Sequence, residues 1–287
     1  MPGLLAPLYA VYHRALDLAL RVDPSAALND GAESRPGGAS VAAELHAAVQ
    51  EMKAQAFDAA SGAFDYTALA GSETYARYRE CTGRLCQFDP AELRQHTERL
   101  AFWTNLYNAL VIDAVIRFQP WQSVREDSGF FRRAAYVVGG RRFSADDIEH
   151  GILRGNRRHF HPAVWLPQFS PGDRRLAFSI RPADPRVHCA LVCASRSCPP
   201  IAVYEASRIG EQLDLACAAF VNGGAVLLEG GRVRLSRIFR WYGRDFGGRA
   251  GVRQFLLRYL DEVLARSALE DGTRIAFQPY DWSLNGD

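Results

Sequence analysis

The sequence predicts an α+β fold in a single domain, with N-terminal helices packed on a small, mainly antiparallel sheet and further helices. Three observations carry this. Apolar residues from Leu100 through Trp103, Leu106, Tyr107, Leu110 and Ala114 recur at a period near 3.6, which marks a long, largely buried helix. Two later stretches, AAYVVGGRRFS and AVLLEGGRVRLS, read as hairpins turning at Gly139-Gly140 and Gly230-Gly231. Helical patterns dominate before these hairpins, and strands and helices mix after them, the order expected of α+β chains.

Each element follows from local signals. Leu8, Tyr9, Tyr12, Leu16 and Leu20 give the first segment the spacing of an amphipathic helix. Residues 23 to 40, DPSAALNDGAESRPGGAS, carry no periodicity and read as a flexible linker. The domains expected are therefore residues 1–40, helix plus linker, and 41–287, one α+β unit. VAAELHAAVQEMKAQ is a second helix, GAFDYTALAG a short extended or turn segment, and Ser72 to Cys86 a third helix. Asp89 and Pro90 supply N-cap and N1 signals for the long helix. SADDIEHGILRG reads as a short helix capped by Ser144, with Asp146 and Asp147 in its first turn. RRLAFSI reads as a strand, and Arg186 to Cys193 as an interior strand broken by one histidine. ASRIGEQLDLACAAFVNG is a helix, VRQFLLRYLDEVLARSAL the last long helix, and IAFQPYDWSLNGD a strand with a tail.

Length and composition bound the function. With 287 residues and 48% hydrophobic residues, the chain has ample material for a core. The net charge of +2 is too small for a general grip on nucleic acid or an anionic membrane. Lys53 is the sole lysine, so the remaining basic residues are arginines and carry little individual signal. No run reaches the ~20 apolar residues of a membrane helix. The N-terminus lacks a basic n-region and a small-residue cleavage site, so a cytoplasmic location is expected. In such a reducing compartment disulfides are not the default for the six cysteines.

The strongest chemical signal is HCALVCASRSCPP, His188 to Pro200. A thiol at the end of a strand is a candidate nucleophile when a base or a positive field lowers its pKa. Cys198 is the candidate nucleophile and His188 or His150 the base, with Asn105, Asn108, Glu149 or Asp281 available to orient the imidazole. Inert packing is the alternative for each cysteine, above all for Cys189, and Cys81 and Cys86 read as structural. Cys193 and Cys198 also suit a redox pair, although their spacing is not the C-x-x-C of thioredoxin-like proteins. His188, Cys193 and Cys198 could instead hold zinc with His150, at a spacing that matches no common zinc knuckle. His150 closes a helix beside Asp146, Asp147 and Glu149, so it is either a capping residue or a tuned base. His159 and His161, in an arginine-rich loop, read as solvated. Asn105 and Asn108 interrupt an apolar helix, where a buried amide either braces a loop or lines a site. Trp241, Tyr242 and Phe246 lie among arginines, but packing on the last helix explains them better than single-stranded nucleic acid does. Phosphate-loop, dinucleotide, serine-hydrolase and zincin motifs do not occur in the sequence.

Five segments in order, AFWTNLYNAL, VGGRRFSADDIEHGILR, DPRVHCALVCASRSCPP, LSRIFRWYGRDFGG and YDWSLN, resemble the domain of unknown function 547 family. The resemblance covers roughly residues 60 to 287 and leaves the first 40 outside. It implies a domain found in bacteria, plants and animals, in eukaryotes joined to coiled-coil or glutaredoxin-like segments, with no established reaction. Its motifs pick out Asn105, Asn108, Glu149, His150, His188, Cys193, Cys198 and Trp282. Many bacterial members look exported, whereas no signal is recognisable here.

Three functions follow as expectations. The first is a cysteine-dependent hydrolase or acyl-transfer enzyme acting on a small-molecule or protein substrate, with no cofactor, no nucleic acid and no membrane span. Every histidine precedes Cys198, so a papain-like order of cysteine then histidine does not apply, though triad geometry recurs in other orders. The second is a non-catalytic protein-interaction domain with structural cysteines. The third is a thiol-redox or zinc site at His188, Cys193 and Cys198.

Overall fold

A computed structural model describes residues 6–32, 40–161, 164–229, 232–261, 263 and 275–286. Helix α1 (Ala6–Ala19) opens the described chain. It is tied to the rest by Asp17, which accepts from Arg132 Nε at 2.9 Å, and by the Tyr12 hydroxyl, which accepts from the Trp165 N–H at 3.2 Å. The following turn is not a free linker over its described residues. Asn29 is buried, donates to the carbonyls of Thr82 and Val137, and accepts from the Val137 N–H at 2.8 Å. A polar turn with one residue able to satisfy three backbone groups docks as firmly as an apolar one. Residues 33–39 of the expected linker lie outside the described residues.

Helix α2 (Val41–Ala56) starts at Ser40, whose side chain accepts from the Ala43 N–H. Helix α3 (Tyr66–Ala70) and helix α4 (Glu73–Leu85) are capped in the same way by Asp65 and Ser72. Leu45, Val49 and Met52 on α2 pack with Tyr78 and Leu85 on α4 in one buried cluster. Asp89 and Pro90 start a 3-10 turn, Pro90–Glu92, rather than the long helix itself. That helix, α5 (His96–Phe118), begins where the Glu98 carboxylate accepts the Gln95 N–H at 2.9 Å. Every residue from Leu100 to Val115 is buried, as the all-round apolar pattern predicts.

Helix α6 (Phe130–Arg133) leads to strands β1 (Ala135–Val138) and β2 (Arg141–Ser144), an antiparallel hairpin. Its turn residues Gly139 and Gly140 have φ of 56° and 69°, the left-handed geometry that two-residue hairpins favour. Ser144 then opens the expected helical segment. Its hydroxyl accepts from the Asp147 N–H, and Asp147 accepts from the Ser144 N–H. The segment widens into a π-helical turn over Asp147–Leu153.

The two strands expected next are absent. Arg174–Phe178 and Pro185–Cys189 are 3-10 turns, each started by an aspartate, Asp173 or Asp184, that accepts a backbone N–H two residues on. The apolar run after His188 is buried without a strand neighbour, because Asn108 takes the neighbour's part. Its amide donates to the Ala190 carbonyl at 3.0 Å and accepts from the Val192 N–H at 3.0 Å.

Helix α7 (Ile209–Phe220) is followed by β3 (Val226–Glu229) and β4 (Arg232–Leu235), antiparallel as expected. Helices α8 (Arg237–Trp241) and α9 (Gly248–Tyr259) come next, and most of the predicted helix beyond Tyr259 lies outside the described residues. Strand β5 (Ile275–Phe277) joins β4 in parallel. The fold is therefore α+β, with two small sheets among the described residues in place of one and a parallel edge in the second. The chain end straps back over the cysteine loop. Arg196 N donates to the Ser283 carbonyl at 2.9 Å, and Asn285 N to the Ala194 carbonyl at 3.0 Å. No helix among the described residues is long and apolar enough to cross a membrane.

Candidate functional site

Two buried clusters meet along one seam, the larger around α5 and the smaller around Phe239, Phe246 and Phe255. A pocket of about 90 Å³ opens there, lined from one side by Tyr107 and Leu191 and from the other by Ile238 and Tyr242. Glu149, His150, His188, Cys193, Cys198 and Trp282, six of the residues singled out in the sequence, line it together. They arrive from the π-helical turn, from the Pro185–Cys189 turn and the loop after it, and from the C-terminal strap. A π-turn adds one residue to a helical circuit, and such turns recur at functional sites. Its Gly151 is obligatory, since a Cβ there would run into the ring of buried Phe169.

His188 Nε2 lies 2.9 Å from Asp245 Oδ2. Burial works to raise the Asp245 carboxyl, but hydrogen bonds from His188 and Arg154 outweigh it and hold the group well below the usual carboxylate range. Asp245 is therefore an anion and accepts the His188 Nε2–H. Burial in turn lowers the His188 pKa, with Asp245 opposing, so the ring is neutral and Nδ1 keeps a lone pair. Tyr242 stacks on that ring with centroids 3.9 Å apart. Arg154 completes the group, donating to Asp245 Oδ2 at 2.6 Å and to His150 Nδ1 at 2.7 Å.

Glu149 is gripped by two hydroxyls, Tyr242 at 2.6 Å and Tyr107 at 3.2 Å. Burial pushes both phenols well above their ordinary pKa, so they remain donors. Asp146 lines the pocket too, and burial raises its carboxyl to about 7. Burial, the nearby His159 and Arg154 lower the His150 pKa, and burial takes His159 down to about 3. His159 is thus a pocket residue, its ring 4.4 Å from that of His150, and not the solvated histidine its loop suggests.

Cys193 and Cys198 are joined in a disulfide, against the default drawn from compartment. Both sulfurs sit half-buried on the pocket wall. Cys198 Sγ receives the Cys193 backbone N–H at 2.8 Å. The Ser195 and Tyr280 hydroxyls lie 3.1 and 3.2 Å from Cys193 Sγ, and burial pushes the Tyr280 phenol up to about 12. Between the cysteines, Ala194 is held at φ 59°, a left-handed strain that a side chain pays of order 1–3 kcal/mol to adopt. Cys189 is buried and its thiol pushed well up by burial, which agrees with an inert core role. Cys81 is buried likewise, its thiol raised to about 11.

Asn105 and Asp281 do not join this group. Asn105 spends its amide on the Tyr204 backbone, donating at 2.8 Å and accepting at 2.9 Å, so it braces the chain after Pro200. Asp281 is exposed and caps the Ser283 N–H. Asn108 acts through the loop it holds. Sequence reasoning missed Asp245, Tyr107 and Tyr280 as pocket groups, and read Asp146 only as a neighbour of His150. Asp146 had a local signal, its place four residues before His150 on one helical face.

The zinc set His188, Cys193 and Cys198 does not fit a metal in this state. Zinc takes thiolates, and both sulfurs are bonded to each other while His188 Nε2 serves Asp245. A second grouping, Asp146, His150 and His159, brings ligand atoms within 4.8 Å of one another. Its rings are set the wrong way: His150 Nδ1 accepts from Arg154, and His159 Nδ1 accepts from the His161 N–H at 2.9 Å. Each neutral ring therefore carries its proton on Nε2, whereas ligating histidines donate from the nitrogen that faces away from the metal.

Residues 90–221 match the family model described as protein of unknown function, DUF547. No curated protein and no solved structure matches the chain. The matched span holds Glu149, His150, His188, Cys193 and Cys198, and it ends before Asp245 and Trp282. From the 3-10 turn at Pro90 to the end of α7, the chain is similar to the DUF547 family.

Proposed function

We propose that the pocket carries out thiol–disulfide exchange through the Cys193–Cys198 pair. The observation that supports this is a disulfide on the wall of a pocket that also holds a neutral histidine paired with an aspartate. A substrate thiol gives its proton to His188 Nδ1, and its thiolate attacks Cys198 Sγ. The S–S bond breaks, Cys193 departs as a thiolate beside the Ser195 and Tyr280 hydroxyls, and a mixed disulfide remains on Cys198. A second substrate thiol attacks that mixed disulfide and releases Cys198, whose thiolate the Cys193 N–H stabilises. The substrate pair loses two electrons and becomes a disulfide, and the cysteine pair gains them. The reverse sequence reduces a substrate disulfide.

A second reading is favoured by the same N–H at Cys198 Sγ. In the reduced protein, Cys198 would attack an acyl carbon with His188 as base, the hydrolase or acyl-transfer chemistry expected from the sequence. One experiment separates the two. Reduced protein is mixed with a small aryl disulfide and, separately, with an aryl ester, beside Cys198→Ser. Exchange predicts rapid thiolate release from the disulfide with reformation of the Cys193–Cys198 bond and no ester burst. An ester burst lost in Cys198→Ser supports acyl transfer instead. Failure of both reagents to react overturns both.

A further inference from the structure

The charged side chains on the pocket wall are all of one sign. Asp146 and Glu149 line it, and no arginine or lysine does so among the described residues, although the chain has 34 basic residues. The three histidines that line it are lowered by burial and neutral near pH 7. Arg154 is turned to Asp245, and Arg132, which acts on Asp146 electrostatically, spends its hydrogen bonds on Asp17. The two carboxyl groups differ. Glu149 is satisfied by two tyrosines, whereas Asp146 accepts no hydrogen bond from the described residues; His150 Nε2 lies 3.9 Å away, His159 stands within 4.8 Å, and Arg132 acts on it electrostatically. Beside them stands an aromatic wall: Phe160 stacks on Trp241 at 4.9 Å, and Trp241 meets Tyr280 and Trp282 at 4.9 and 5.6 Å. Aromatic faces beside a carboxyl that accepts no hydrogen bond, with no cation on the pocket wall itself, form the recognition chemistry of an organic ammonium.

We infer that the pocket binds a small organic ammonium group between Asp146 and the Trp241 face, so that the thiols it exchanges are aminothiols. The second half rests on the thiol-exchange reading and the first does not. The balance is that of the exchange already given: two aminothiols and the protein disulfide give the aminothiol disulfide and the protein dithiol, and the aminothiol disulfide is the oxidant in reverse. A pocket of about 90 Å³ suits a ligand of a few heavy atoms.

The test has two arms on the full chain. In the first, propylammonium chloride is titrated at pH 8, above the raised value of the Asp146 carboxyl, into the oxidised protein and tryptophan fluorescence is followed, with sodium chloride as the ionic-strength control. A saturable change with propylammonium alone, weakened at least tenfold in Asp146→Asn, is expected. Trp241→Leu serves as a second variant should Asp146→Asn fail to fold. In the second, reduction of the disulfide by 2-aminoethanethiol, 2-hydroxyethanethiol and mercaptoacetate is timed and corrected for thiolate fraction. The aminothiol should lead by tenfold or more, and that ratio should collapse toward one in Asp146→Asn. Propylammonium binding with no exchange by any thiol keeps the ammonium site and removes the exchange reading. No saturable change, with thiols ranked by thiolate fraction alone, overturns the inference.

Discussion

Asp245 accepts from His188 Nε2 at 2.9 Å and from Arg154 Nε at 2.6 Å through the same oxygen, Oδ2. One carboxylate thus fixes the tautomer of the pocket histidine and compensates the buried guanidinium behind it. Replacing it breaks both at once. Asp245→Asn leaves Arg154 buried without its counter-charge, a loss of about 3–5 kcal/mol for a buried pair. Urea unfolding of the variant should show that drop, and thiol exchange at neutral pH should fall with it. An unchanged midpoint would mean that Arg154 finds another anion.

The Asp146 carboxyl makes the stability depend on pH in an unusual direction. Its folded pKa, raised by burial to about 7, exceeds the ordinary carboxylate value, so the folded state holds the extra proton. The stabilisation is fully present below about pH 4 and is lost as pH rises through about 7. Asp146→Asn removes this dependence. The stability of the variant relative to the parent should therefore rise between pH 4 and pH 8, by a few kcal/mol at most, when urea midpoints are compared across that range.

Asn108 stands in for a strand neighbour along the Ala190–Val192 backbone. Asn108→Ala orphans a buried carbonyl and a buried N–H, at about 1–3 kcal/mol each. Thermal unfolding should register the loss, and the Cys193–Cys198 bond should become easier to reduce as its loop loosens. Asn108→Asp, which keeps only the accepting half, should fall between the two in midpoint.

Gly151 faces the Phe169 ring with no room for a methyl group. Gly151→Ala should destabilise by about 1–3 kcal/mol, the range for overpacking a tight core. Circular dichroism melting checks this, and Gly151→Ala combined with Phe169→Leu should recover part of it.

Much of this was legible in the chain. The period of α5, the Gly139-Gly140 turn and the Ser144 cap are local signals, and each element forms where the signal lies. Residues 186–193 were misread because an apolar run indicates burial and not the partner that satisfies its backbone. Here the partner is a side chain 82 residues earlier in sequence, Asn108. The described part of the 23–40 segment was misread for the same reason, since Asn29 is paired with Thr82 and Val137 far along the chain. The cysteine and histidine motifs named the pocket's sulfurs and two of its three histidines. Asp245 escaped because RWYGRDFGG has no spacing that ties it to His188, and only folding brings the two together across a separation of 57 residues.

In the proposed exchange Cys198 is the sulfur that meets substrate and Cys193 the one that resolves. The most direct measurement is trapping: Cys193→Ser and Cys198→Ser proteins are treated under native conditions with a small aryl disulfide, quenched in acid and mapped by mass spectrometry. A stable mixed disulfide should form on Cys198 in Cys193→Ser, at least tenfold faster than any adduct on Cys193 in Cys198→Ser. Equal or reversed rates, or labelling at Cys86 alone, would contradict it.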